Sequence, residues 1–172
     1  MLEIVNGENF GLIYQLMKES FPTSEIRSFK GQKALLKDER YKIYGYRENG
    51  ELIGVICAWD FEERLFLEHF AVAPEYRNRG IGYNMLKNLL ANYKGLAFLE
   101  SEPPESDLQK RRIDFYKRCG FFVNDYPYCQ PAFSKKLPAV PLKIMSYQKT
   151  LSYEEFMKVK TLIYKEVYHQ KV

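Results

Sequence analysis

Residues Arg77 to Gly82 read RNRGIG, and they stand where an apolar run gives way to a helical pattern. The run is Leu65 to Ala73, closed by Pro74; after the loop, Met85, Leu86, Leu89 and Leu90 recur at helical spacing. A strand must therefore pass directly into a helix here. Gly80 and Gly82 carry no Cβ, so neighbouring backbone N–H groups can turn toward one point. The helix brings the positive end of its dipole to that point, and Arg77 and Arg79 add charge. The result is a cradle suited to a pyrophosphate, although a loop of this kind read alone is equally a solvated connection. It is not a nucleotide-hydrolysing P-loop, because no Lys-Ser or Lys-Thr pair follows the second glycine. Nor is it the three-glycine dinucleotide fingerprint, since Tyr83, Asn84 and Met85 follow Gly82. A different phosphate-bearing cofactor is indicated.

The rest of the chain alternates strand and helix signals. Leu2 to Val5 reads as a strand, followed by an amphipathic helix starting at Asn6 or Glu8 and carrying Phe10, Ile13, Tyr14 and Met17. A second helix is expected over Ser28 to Asp38. Tyr41 to Arg47 and Glu51 to Asp60 flank Glu48-Asn49-Gly50, which predicts an antiparallel hairpin. Leu65 to Ala73 extends it to a meander. The helix after the glycine loop is expected to run to about Tyr93 and to stop at Gly95. Leu96 to Glu102 follows as a strand. Ser106 or Asp107 caps a helix ending at Cys119-Gly120, and Phe121 to Asn124 continues as a strand. Proline-bearing Tyr126 to Pro141 reads as a long, substrate-shaping loop. Leu142 to Tyr147 is a last strand, and Ser152 caps a final helix with Phe156, Val159, Leu162, Ile163 and Val167 on its apolar side.

Composition limits the function classes. At 172 residues, with 46% hydrophobic residues, 14 Tyr and 12 Phe, the chain has material for a core and is expected to form one domain over 1–172. Residues 150–172 would be a C-terminal helical extension. The net charge of +4 is small and its basic residues are scattered, which argues against nucleic acid as a partner. Cys57, Cys119 and Cys129 form no metal-ligand or disulfide pattern, so no metal is expected and the thiols suit a reducing cytoplasm. The opening segment lacks signal-peptide character, and no stretch is long enough to span a membrane.

Three segments occur in an order that resembles the GNAT family, the acetyl-CoA-dependent N-acetyltransferases. They are AVAPEY leading into RNRGIG, Leu99-Glu100 on the strand after the loop helix, and FYKRCGF with Tyr116, Gly120 and Phe121. Together they cover about Leu65 to Phe122. Two positions depart from the family's habit: Gln109 and Arg112 stand where Asn and Ala are often found. The resemblance implies a mixed α+β fold with a central, mostly antiparallel, splayed sheet flanked by helices. It implies acetyl-CoA between the strand ending at Val72 and the strand carrying Glu100. Backbone groups of Phe70, Ala71 and Val72 would hold the pantetheine arm and polarise the thioester. Arg77, Asn78, Arg79, Gly80, Ile81 and Gly82 would hold the pyrophosphate. Tyr116 would protonate the departing thiolate. An amine attacks directly, so neither Cys119 nor Cys129 is needed as an acyl carrier.

The acceptor side rests on carboxylates. Glu68 shares strand parity with Phe66 and Phe70, and Glu100 and Glu102 share parity with Phe98. Such acids could draw a cationic amine and accept its proton, Glu68 being preferred to Glu100 as base. Glu102 is as readily a solvated or Arg-paired carboxylate. Tyr128, with Tyr126 and Phe133, would shape the acceptor pocket. His69 is expected to point away from Glu68 as a packed or paired residue, and His169 to play no part. The expected activity is N-acetylation of a small-molecule primary amine in a ternary complex, by a monomer or homodimer. A protein or peptide acetyltransferase and a non-catalytic acyl-CoA-binding module share the same cofactor residues.

Overall fold

The computed structural model describes residues 2–5, 7–91 and 93–170, except the side chain at position 8, and divides into two compact units, 1–97 and 98–172. In the first unit, strands β1 (Leu2–Ile4), β2 (Tyr41–Glu48), β3 (Glu51–Asp60) and β4 (Arg64–Val72) pair antiparallel in chain order. The β2–β3 turn has Asn49 at φ 50° and Gly50 at φ 84°, the two left-handed residues that a twisted two-residue hairpin demands.

Helix α1 (Phe10–Ser20) packs on β3 and β4 through Phe10, Ile13 and Met17, all buried. It begins later than the sequence pattern suggested; Asn9 precedes it, and the alternative start Asn6 lies outside the described residues. Helix α2 (Phe29–Ala34) is capped by Ser28, whose side chain accepts the Gly31 N–H, and tightens into a 3₁₀ turn over Leu35–Lys37. Helix α3 (Ile81–Leu90) buries Met85 and Leu86. It seats closely on β3: a Cβ at Gly54 would lie 2.7 Å from Met85 Sδ. Its end at Leu90 comes before Gly95, which instead sits against the Glu63 carbonyl.

One irregularity matters for chemistry. Cys57 pairs with His69 and Ala58 with Leu67, so Glu68 is an extra residue in β4. A bulge of this kind breaks the two-residue alternation and turns side chains toward a new direction.

In the second unit, β5 (Leu96–Ser101), which starts at the end of the first, pairs with β7 (Val140–Tyr147), and β7 with β6 (Phe121–Gln130), both antiparallel. Helices α4 (Asp107–Arg118) and α5 (Tyr153–Leu162) each open with a complete capping box, Ser106 with Gln109 and Ser152 with Glu155. A π-helical turn, Ile163–Val167, continues α5.

The expected loop from Tyr126 to Pro141 is shorter than read: its first five residues belong to β6 and its last two to β7, leaving 131–139 as the connection. β6 runs to Gln130, with a register shift between Asn124 and Tyr128 where Pro127 has no N–H to give. Aromatic packing supports it: Tyr126 lies 4.8 Å from Phe156, and Tyr128 lies 5.8 Å from Tyr164, ring centre to ring centre. With seven strands and five α-helices among the described residues, the chain has the mixed α+β class read from its sequence.

Candidate active site

After β4 the chain makes a single 3₁₀ turn, Pro74–Tyr76, and enters the glycine loop. Asn78 at φ 61° and Gly80 at φ 75° are both left-handed, with Arg79 between them. Alternation of this kind gathers successive N–H groups into a concave donor surface. Gly80 is also the N-cap of α3 and offers no side-chain bond to the first helical turn, so those donors remain for a ligand. Ile81 is buried and anchors the turn, while residues 77–80 are exposed. Gly82 is helical rather than part of the turn. The Arg79 guanidinium lies 5.2 Å over the Tyr76 ring, and the Tyr76 hydroxyl donates to Glu51 at 2.8 Å. Arg77 is latched backward: its Nε donates to the Val72 carbonyl at 2.8 Å. Its charge stays beside the loop, but that nitrogen closes the end of β4.

Phe70, Ala71 and Val72 form the last turn-free stretch of β4, opposite Ile56, Val55 and Gly54. Ala71 is buried, and Phe70 and Val72 are half-buried.

Glu68 does not face a solvent-filled cleft. Its side chain is 2% exposed, Arg27 Nη1 donates to Oε1 at 2.5 Å, and the Trp59 indole donates to Oε2 at 2.9 Å. Burial pushes the carboxyl up, but the Arg27 charge and these bonds outweigh it and hold the group below the usual carboxylate range. The expected parity argument fails because the bulge falls on this very residue. His69 accordingly does not point away: its Nδ1 lies 3.9 Å from Glu68 Oε2. Its Nε2 lies 2.8 Å from the Glu25 carbonyl, and Phe21 meets the ring edge-on at 5.0 Å.

In the second unit, Glu100 accepts hydroxyl hydrogens from Tyr128 and, at 2.7 Å, from Tyr168. Tyr128 is buried, and burial together with the Glu100 charge raises its hydroxyl well above the ordinary value. Tyr168 was not among the residues read from sequence; its only signal is the four-residue spacing from Tyr164, which also reaches inward to the Cys129 carbonyl at 2.5 Å. Glu102 pairs with Arg112, the paired alternative foreseen for it. Gln109 completes the α4 cap through the Ser106 N–H at 2.8 Å. Both departures from the family pattern thus have local structural work.

Tyr116 is buried beside Phe115 and Phe121, with its hydroxyl pushed up to about 12 by burial. Cys57 is raised to about 12 and Cys119 to about 11, also by burial, so both thiols stay protonated near neutrality. Cys129 is exposed.

Comparison with known proteins bears on the family and the fold. The Acetyltransferase (GNAT) family profile matches residues 10–121. The Bacillus subtilis protein YjbC, named as an acetyltransferase, is 31% identical over 110 residues, which are 63% of this chain and 55% of YjbC; the chain thus spans little more than half of that relative. A GNAT-family protein of Bacteroides thetaiotaomicron superposes with a TM-score of 0.90 at 28% identity, covering 99% of each chain. Salmonella typhimurium yncA, solved with acetyl-CoA, shares the fold at a TM-score of 0.63 and 15% identity over 88% of this chain and 95% of its own. With the loop, the strand before it and the Tyr-Gly-Phe segment all in order, this chain belongs to the GNAT family of acetyltransferases.

Proposed function

We propose that this protein is an acetyl-CoA-dependent N-acetyltransferase that moves the acetyl group to a primary amine of a small molecule, by direct attack in a ternary complex. The observation that carries the cofactor half is the pairing of left-handed Asn78 and Gly80 ahead of the uncapped α3. The N–H groups of Asn78, Arg79, Gly80, Ile81 and Gly82 would then serve one anion. The Arg77 charge supports the same ligand from the side. Main-chain groups of Phe70, Ala71 and Val72 hold the pantetheine arm, with one N–H polarising the thioester oxygen. The chemistry needs no metal, since the amine is itself the nucleophile.

Tyr116 is the proton donor to the leaving thiolate. With its hydroxyl near 12 it remains protonated throughout the neutral range. Transfer to a thiolate, whose acid has a pKa of about 8.5, is uphill from there. The Arg112 charge lowers the Tyr116 hydroxyl and so eases that step. On the acceptor side, Glu100 among Tyr128 and Tyr168 supports a cationic amine, because a carboxylate with aromatic walls attracts an ammonium and packs its carbon stem. Glu102 is paired with Arg112 and adds no net charge there.

We further take residues 1–172 to act as one acetyltransferase domain in the cytoplasm, as a monomer or homodimer without nucleic acid. No helix among the described residues is long and apolar enough to cross a membrane. The test is release of CoA thiol from acetyl-CoA, screened over spermidine, glycinamide, kanamycin and short peptides. Turnover of a small amine supports the proposal. Turnover of peptides alone favours a protein acetyltransferase, and tight acetyl-CoA binding without any turnover favours a regulatory acyl-CoA module.

A further inference from the structure

The main-chain N–H of Arg77 donates to the Pro74 carbonyl at 3.2 Å, so Arg77 can serve a ligand of the glycine loop only through its side chain. That side chain is bonded elsewhere. Its Nε donates to the Val72 carbonyl at 2.8 Å, and its Nη2 reaches Ser20 Oγ at 3.5 Å, on the last residue of α1. The guanidinium thus rests beside the negative end of that helix dipole.

Register fixes where the Val72 oxygen points. Val72 stands opposite Gly54 on β3, and the next residue, Ala73, donates its N–H to the Ile53 carbonyl at 2.8 Å. Bonded and non-bonded pairs alternate along an antiparallel ladder, so Ala73–Ile53 is a bonded pair and Val72–Gly54 is not. Both main-chain groups of Val72 therefore point away from β3. An acceptor turned that way is what the amide N–H groups of a pantetheine arm require, and Arg77 is bonded to it. The Arg77 side chain is exposed, so water weakens its hold and a stronger partner can draw it off.

We propose that Arg77 is a specificity-determining residue: it screens the pantetheine-binding edge of β4 until a diphosphate in the glycine loop draws its guanidinium away. This rests on the acetyltransferase reading. A thioester that carries only pantetheine must displace the guanidinium unaided. A CoA thioester also brings phosphate charge to the donor turn at Asn78 and Gly80, in the same loop as Arg77. The guanidinium then exchanges a neutral carbonyl for an anion, with which it makes the stronger bond. The same exchange frees the Val72 oxygen for the arm. One side chain thereby couples the two halves of the cofactor, and acyl groups presented on pantetheine without a diphosphate are disfavoured. Arg79 is placed differently, with its guanidinium 5.2 Å over the Tyr76 ring, and so provides a control for loss of charge alone.

Calorimetry on the full chain tests this with acetyl-CoA, S-acetylpantetheine and inorganic pyrophosphate as probes. Arg77→Met keeps the length of the side chain without a donor, whereas Arg77→Gln keeps a donor in place of Nε without the charge. Arg77→Met should bind S-acetylpantetheine roughly threefold to tenfold more tightly than wild type, the span of one hydrogen bond. Arg77→Gln and Arg79→Met should show no such gain. Acetyl-CoA should bind Arg77→Met more weakly than wild type. Pyrophosphate should tighten S-acetylpantetheine binding to wild type and leave that of Arg77→Met unmoved, because the coupling runs through the guanidinium. The screen is overturned if Arg77→Met gains no affinity for S-acetylpantetheine, undetectable binding to both proteins included. Undiminished acetyl-CoA binding by Arg77→Met, a gain shared by Arg79→Met, or a pyrophosphate effect that survives in Arg77→Met overturns it too. Where wild type binds acetyl-CoA, those outcomes leave the acetyltransferase reading standing. A wild type that does not bind acetyl-CoA sinks that reading and this role together.

Discussion

Arg27 Nη1 meets Glu68 Oε1 at 2.5 Å, joining residues 41 positions apart in a site where the acid side chain is 2% exposed. The pair closes the segment before α2 over the bulge in β4. Removing one partner of a buried pair leaves the other charge uncompensated, which typically costs about 3–5 kcal/mol. Arg27→Met should therefore destabilise strongly, and Arg27→Met with Glu68→Gln should cost clearly less than the two single changes added together. Urea unfolding of the four proteins measures the coupling, and simple additivity would refute it.

Acidification should unfold the protein in two stages. His69 sits below 6.5 in the folded state because of burial, so the unfolded chain binds its proton first. Stability is then complete above pH 6.5 and declines as pH falls toward the folded value. Glu68 is held below 4.5 by Arg27 against burial, so its contribution persists above pH 4.5 and is lost as pH drops through its folded value. Melting temperatures taken from pH 8 to pH 3 should show both declines, and Glu68→Gln should lack the second.

Gly80→Asp should all but abolish binding of CoA. The substitution forces an L residue to φ 75° and sets a carboxylate where a phosphate is expected. Gly80→Ala separates the two effects, costing about 1 kcal/mol of backbone strain but adding no charge. Calorimetry with CoA should rank affinity as wild type, then Ala, then Asp.

Tyr116→Phe should leave acetyl-CoA affinity unchanged and reduce kcat by roughly 10²-fold or more, the usual span for loss of a general acid. The ring packs on Phe121 at 6.0 Å and keeps its place without the hydroxyl. Single-turnover measurement at several pH values is the check. Equal rates would mean that solvent protonates the thiolate.

What was legible in the sequence follows from how local each signal is. The hairpin at Asn49-Gly50, the capping serines 106 and 152, and the turn of the glycine loop depend on a few adjacent residues, and each is found where its local chemistry requires. The bulge at Glu68 was not legible. Alternation along β4 predicts Glu68 and His69 on opposite sides, and what overrules it is a guanidinium far away in sequence. The extension of β6 through Pro127 was missed for a similar reason. Prolines argue for a loop, but Phe156 and Tyr164 cover Tyr126 and Tyr128 and make the strand worthwhile. Tyr168 escaped because its spacing from Tyr164 marks a shared helix face but not a bond to Glu100, 68 residues away.

The seating of α3 on β3 gives position 54 a meaning of its own. A single methyl there would lie 2.7 Å from Met85 Sδ and 3.3 Å from the Ala71 carbonyl, so the buried Met85 side chain would have to move off the place where it seats α3. The height of α3 over the sheet is thus set in part by the missing side chain at position 54. If the amides at the start of α3 hold a phosphate as proposed, a change at Gly54 should weaken that hold without touching the ligand.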